Sequence, residues 1–194
     1  YFSNADNVLA ARISKGDISS DLLRPMSMLL QFYGTALGEL LFRALFMSLP
    51  VGVLIVLCFG LLPPASALHA LLFALSVVLA FHLFFAINFL TGLCAVFTEK
   101  LQGFLWAKFL LMQFLSGQLL PLEFFNTYPL IRDIFAVLPF KGIAYTPMKI
   151  YLGQWTLGEM RGELALQAAW TLALLAFCEL AWRAVRRRLS VLGG

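Results

Sequence analysis

Apolar residues run along this chain in long blocks, and the charged residues gather between the blocks. Between Arg43 and Glu99 there are 55 consecutive residues without a formal charge. As one helix they would reach roughly 80 Å, and a bilayer core is only about 30 Å thick. The block therefore predicts two spans joined by a turn. Pro63-Pro64-Ala65-Ser66 supplies that turn, because proline lacks a backbone N–H and disfavours helix in the residue before it. One span is expected near 44–62 and a second near 67–97, the second long enough to tilt or to extend beyond the bilayer. A third block, 104–120, follows Glu99-Lys100-Leu101-Gln102-Gly103, and a fourth, 164–182, precedes the basic run 183–188. Four visible spans are predicted.

Two connecting regions carry patterns of their own. In residues 1–43, Asp17 is placed to cap a short helix through Leu23, and Pro25 breaks it. Met26, Leu29, Leu30, Tyr33, Leu37, Leu40 and Leu41 then recur on a helical period, so this stretch is expected to lie along the cytoplasmic interface. Residues 121–163 hold Pro121, Pro129, Pro139 and Pro147 with aromatic residues between them. That composition predicts short helices dipping into the outer leaflet, where broken backbone survives only if protein or water satisfies it. The expected division is 1–43 cytoplasmic helices, 44–120 three spans, 121–163 an extracellular re-entrant segment, and 164–194 the last span with a basic tail.

Composition agrees with the blocks. Of 194 residues, 61% are hydrophobic and 12% charged, and the mean hydropathy is +0.88. A soluble domain is about 45–50% apolar, so a water-soluble globule is excluded and the fold class is an all-α polytopic membrane protein. The net charge of +4 then reads through loop orientation rather than nucleic-acid binding. One side would carry Arg12, Lys15, Arg24, Arg43, Lys100, Lys108, Arg183, Arg186, Arg187 and Arg188, and the other Arg132, Lys141, Lys149 and Arg161. Ten against four places the first side, with both ends of the chain, in the cytoplasm of a plasma (inner) membrane protein. The chain begins at Tyr1 with a polar segment that is no signal peptide, and it reads as a fragment lacking its N-terminus. Cys58, Cys94 and Cys178 lie far apart in apolar runs, which suggests neither a disulfide framework nor a metal site.

Familiar catalytic chemistry is missing. There is no G-x-x-x-x-G-K-[ST] loop, so the chain has no P-loop of its own, and no H-E-x-x-H, G-x-S-x-G or G-x-G-x-x-G pattern. His69 and His82 stand thirteen positions apart, about 220° around a helix, and do not share a face. No catalytic, cofactor-binding or metal residues are assigned. The middles of the spans hold no charges, which removes the usual mark of ion coupling. Glu39 with Arg43 and Glu179 with Arg183 are i,i+4 pairs near span ends. Ser76, Asn88, Thr91, Gln113 and Ser116 are the polar residues within spans, with helix-to-helix hydrogen bonding as their default role. Gly34 and Gly38 form a GxxxG of low specificity.

The segment Gly16-Asp17-Ile18-Ser19-Ser20-Asp21-Leu22-Leu23-Arg24-Pro25 presents Ile18, Leu22 and Leu23 as an apolar ridge flanked by charges. Such a ridge suits docking into a partner's groove, and it equally suits a plain surface helix. The string Arg-Ile-Ser-Lys-Gly-Asp-Ile-Ser-Ser-Asp-Leu-Leu-Arg-Pro at 12–25 resembles a signature of the permease subunits of ABC-2-type transporters, in their small six-helix branch. Further matches follow in order at Ser116-Gly117, Pro121-Leu122, Phe124-Phe125, Leu138-Pro139-Phe140, Pro147, Ile150-Tyr151-Leu152-Gly153, Gln167 with Trp170, and the C-terminal Arg-Arg-Leu leading to Gly193-Gly194. Val96-Phe97 before Thr98 and the spacer Asn126-Thr127-Tyr128 before Pro129 depart from the family's pattern.

The resemblance implies an N-terminally truncated permease, with two spans preceding this chain and six helices in the whole protein. It implies that residues 16–25 hold the cytoplasmic coupling helix resting on a separate ABC ATPase subunit, through which ATP acts without binding this chain. Asp17 would then cap the helix, Ile18, Leu22 and Leu23 would dock, and Arg24 would anchor the interface. It further implies a second permease, self or related, as partner in the lipid membrane, and a path lined by residues such as Phe109, Met112, Gln113 and Ser116. The expected function is export. An ion-coupled secondary carrier and a non-transporting anchor or assembly subunit are the alternatives.

Overall fold

The computed structural model describes residues 5–15, 26–96 and 101–192. All regular structure among them is helical, with eight α-helices: α1 (Ala5–Lys15), α2 (Met28–Arg43), α3 (Leu49–Phe59), α4 (Ala67–Leu93), α5 (Leu101–Leu115), α6 (Pro129–Val137), α7 (Tyr145–Tyr151) and α8 (Leu157–Leu192). Three stretches are long and apolar enough to cross a membrane: Met28–Phe59, Ala67–Val96 and Leu157–Arg186. The third apolar block forms only the 15-residue α5. At 1.5 Å per residue that helix is roughly 22 Å long, short of the bilayer core, so three long spans stand where four were expected.

The stretch expected along the interface and the first predicted span are one helix of 32 residues. Pro50 is the reason to expect a break, since it lacks the N–H that would continue the helix. A π-helical turn, Ala44–Ser48, precedes it, and Leu49 N–H donates to Ala44 O across five residues. The widened turn lets the axis run on past the proline. Ser27 caps the start, its side chain accepting from Leu30 N–H at 3.3 Å. The helix stops at Phe59, where Gly60 takes a φ of 83°, and Ser66, accepting from His69 N–H at 3.4 Å, opens the next helix. The Pro63–Ser66 turn thus falls where the sequence puts it.

The chain divides into two compact units, and α4, α5 and α8 each contribute to both. The first comprises Tyr1–Leu62, Phe84–Leu105 and Leu174–Gly194. Within it Met28, Phe32 and Ala36 form the buried ridge of α2, with Phe32 edge-on to Phe89 and Tyr33 edge-on to Phe85. Most of the predicted periodic face is open instead, with Met26, Leu30, Leu37 and Leu41 exposed. α2 is apolar on several faces, so periodicity marks a helix without choosing the side that packs. No residue of Ala44–Phe59 is buried, as befits a surface meant for lipid or another subunit. Cys178 Sγ donates to Ala86 O at 3.4 Å, pinning the later part of α8 to α4.

The second unit comprises Pro63–Leu83 and Trp106–Ala173. Its proline-spaced segment folds as short helical pieces: a 3-10 turn Leu122–Thr127, α6, a second 3-10 turn Pro139–Ile143, and α7. Pro129 and Pro139 stand at the first positions of their helices, where a missing N–H costs nothing. Gly117, with φ 79°, ends α5, and the N–H groups of Gln118 and Leu119 turn back to Gln113 O. Phe114, Phe125 and Phe135 then join α5, the first turn and α6 through ring-to-ring contacts of 5.1–5.9 Å.

Candidate functional site

The attachment of the 121–151 segment to α8 is where the polar chemistry of the second unit gathers. α8 opens with a capping box: Glu159 Oε2 accepts from Thr156 N–H at 2.7 Å, and Thr156 Oγ1 accepts from Glu159 N–H at 3.4 Å. From there Glu163, Gln167 and Trp170 recur at i, i+4 and i+7, so all three project from one face. Each takes hold of the broken segment. Glu163 receives Lys141, whose Nζ donates to Oε1 at 2.8 Å and stands 2.7 Å from Oε2. Gln167 Nε2 donates to Gly142 O at 2.8 Å, and Trp170 Nε1 donates to Val137 O at 2.8 Å. Those carbonyls belong to helical ends that cannot satisfy them internally.

Gln167 also joins α8 to α4. Ser76 Oγ donates to Gln167 Oε1 at 2.9 Å, and Gln167 Nε2 donates to Ser76 O at 2.9 Å. Both side chains are buried, so the amide uses its donors and its acceptor within the protein. A Cβ at position 142 would meet Leu83 Cδ1 at 2.9 Å and Gln167 Cγ at 3.1 Å, which is why the close approach uses Gly142. Alongside, Ile150 packs on Met160 and Leu164, with Phe73 and Trp155 against them.

A second charged group fixes α7. Tyr145 and Lys149, one turn apart, both engage Glu123: Lys149 forms an ion pair with its carboxylate, and Tyr145 OH donates to Oε1 at 3.0 Å. Burial alone would raise the Glu123 carboxyl. Hydrogen bonds from Lys149, its own backbone and Tyr145, with the Lys149 charge, outweigh burial and hold it below the usual carboxylate range. Burial, then the Glu123 acceptor and the negative charges of Glu123 and Glu163, push the Tyr145 phenol up, so it stays a donor. Between the two charged groups lies a cavity of about 190 Å³ lined in part by Asn126, Phe135, Lys141, Tyr145, Trp155 and Glu163.

The coupling residues Gly16, Asp17, Ile18, Leu22, Leu23, Arg24 and Pro25 lie outside the described residues. The helices that bracket them lie in the first unit. Leu9 and Ala10 of α1 are buried; a Cβ at Gly92 would lie 3.0 Å from Leu9 Cβ, and Ala10 packs with Ala95 and Leu105. Arg12 lies over the Phe32 ring, 5.8 Å from its centre. Of the path candidates, Met112 and Ser116 are buried, Ser116 Oγ donates to Gln113 O at 3.3 Å, and Phe109 and Gln113 are half-buried.

Of the polar span residues, Ser76 bonds across helices, whereas Thr91 returns its hydroxyl to Ile87 O and Asn88 O of its own helix. Arg183 donates to Glu179 at 2.8 Å, the i,i+4 pair expected from spacing. Lys141 with Glu163, and Glu123 with Lys149 and Tyr145, escape sequence reasoning because partners 22–26 positions apart meet only through the fold. The available signal was the spacing of Glu163, Gln167 and Trp170, which share one face of α8. No group of three or more potential metal ligands occurs among the described residues.

No curated protein and no solved structure matches the chain. The ABC-2 family transporter protein family matches residues 1–193, nearly its whole length, in keeping with three long apolar helices and a multi-pass membrane protein. The chain belongs to the ABC-2 family of transporter membrane proteins.

Proposed function

We propose that this chain is the permease subunit of an ATP-driven exporter, working as a pair with itself or a related permease and coupled to separate ATPase subunits. The observation that carries the reading is the family match over residues 1–193, in a chain without a P-loop of its own. Residues 16–25 are the proposed coupling helix, with Asp17 as cap, Ile18, Leu22 and Leu23 as the docking ridge and Arg24 as anchor. The bracketing packing supports this, because α1 seats Leu9 against Gly92 and Arg12 against Phe32. A push on the intervening segment would reach the ends of α2 and α4 as a rigid-body displacement.

The cytoplasmic placement of both ends rests on the excess of Lys and Arg on that side, and puts the 121–163 segment outside as a cap held by α8. Among the four path candidates, Phe109 and Gln113 retain accessible surface and suit the role better than the buried Met112 and Ser116. An ion-coupled carrier gains little support from the buried charges, since Lys141 and Glu163 neutralise one another. In vesicles holding the complete protein and its ATPase, ATP hydrolysis should exceed that of the ATPase alone, and Leu22→Asp should abolish the stimulation. Full stimulation by that variant would remove the coupling role.

A further inference from the structure

Behind the Lys141–Glu163 pair lies a second, much smaller pocket of about 10 Å³, bordered by Lys141, Gly142, Thr146, Glu163 and Gln167. That is about the space one water needs. Two of its polar atoms are fully buried and make no hydrogen bond among the described residues: Thr146 Oγ1, and Glu163 Oε2, which the Lys141 ammonium faces at 2.7 Å as an ion pair. Thr146 as a whole is 1% exposed. The other polar groups are already engaged, Gln167 with Ser76 and Gly142, and Lys141 with both oxygens of Glu163. A buried hydroxyl without a partner is costly, and a carboxylate oxygen facing one ammonium still has a lone pair to offer, so the pocket asks for one small group that accepts from a hydroxyl and donates to a carboxylate.

Charge narrows the occupant. A cation would sit against the Lys141 ammonium, and an anion against the Glu163 carboxylate. We propose that this pocket holds a single ordered water, which accepts from Thr146 Oγ1, donates to Glu163 Oε2, and is a built part of the joint between α7 and α8. The water gives Oε2 a hydrogen bond in addition to its ion pair with Lys141, which lies 2.7 Å away. The inference is independent of what the protein transports.

The test is a pair of substitutions in the complete protein, followed by thermal unfolding in detergent. Valine has the shape of threonine without the hydroxyl. If a water bridges the two oxygens, Thr146→Val strands it and lowers the unfolding temperature by about 2–4 °C, while Thr146→Ser, which keeps the hydroxyl, stays closer to wild type. If the hydroxyl is simply buried without a partner, Thr146→Val removes an unsatisfied group and the temperature holds or rises, which overturns the proposal. Should the valine variant fail to fold, a map of the wild type at water-resolving resolution decides. Density within hydrogen-bonding distance of both oxygens supports the site, and its absence overturns it.

Discussion

Gln167 Nε2 donates at once to Gly142 O at 2.8 Å and to Ser76 O at 2.9 Å, so one amide on α8 holds both the broken segment and α4. Gln167→Leu keeps the bulk and strands the buried Gly142 carbonyl and the Ser76 hydroxyl, while the Ser76 carbonyl keeps its place in the helical ladder of α4. The expected cost is roughly 2–4 kcal/mol, given about 1–3 kcal/mol for each unsatisfied buried group and partial relaxation. Thermal unfolding should register it, and Thr171→Val, which removes only a hydroxyl bonded to its own helix, should cost less than about 1 kcal/mol. Equal losses in the two variants would deny Gln167 its special place.

Lys141 is buried, and Glu163 supplies its countercharge. Glu163→Ala should therefore destabilise by about 3 kcal/mol, toward the low end for a broken buried pair because Glu163 itself keeps 24% exposure. Lys141→Met combined with Glu163→Leu should recover most of the loss, since no lone buried charge remains. A double-mutant cycle read by denaturant unfolding checks this, and additive effects would show that the two residues do not act as a pair.

Gly153 has φ +64°, and a Cβ there would stand 2.5 Å from Ala65 Cβ. Backbone conformation and space both demand glycine where α7 ends. Gly153→Ala should sharply reduce folded yield in the membrane. Gly162, which has nothing within 4 Å of an added Cβ and sits inside α8, should accept alanine with a gain of up to about 1 kcal/mol. Comparing the two yields by fluorescence-detected gel filtration separates a glycine the turn requires from one it tolerates.

Glu123 gives the fold an acid dependence. Its carboxyl is held lower in the folded protein than its ordinary value of about 4.3, so the folded state binds fewer protons there than the unfolded chain. The stabilisation is present above that ordinary value and is lost as pH falls through the lowered one. The unfolding temperature should drop as pH falls below that ordinary value, and Glu123→Gln should flatten part of that drop. The part is small, because the Glu123 side chain is 42% exposed. An unchanged slope in the variant would show that the Lys149 and Tyr145 contacts do not hold Glu123 in its ionised form.

The sequence made the apolar blocks, the Pro63–Ser66 turn and the Glu179–Arg183 pair legible, because each follows from neighbours within a few positions. It misjudged the start of the first long helix, since it began the span where the uncharged run begins, after Arg43, whereas the helix runs on from Met28 to Phe59 through that charge. It overstated α5 because apolar residues continue to Leu120 although Gly117 ends the helix. The joint to α8 was half visible: Gln167 with Trp170 stands among the residues that carry the family resemblance, but their acceptors are backbone carbonyls of Gly142 and Val137, which no side-chain pattern records. The charged partners Lys141 and Glu163 needed the fold to meet.

The central claim is that the chain couples to an ATPase through residues 16–25. The most direct test is co-purification of the complete protein with its candidate ATPase subunit in detergent, wild type against Leu22→Asp, with the unfolding temperature of each permease as a control for integrity. The account predicts that the wild type retains a stoichiometric ATPase and that the variant, equally stable, loses it. Retention of the ATPase by the folded Leu22→Asp protein, or its absence from both, would contradict the account.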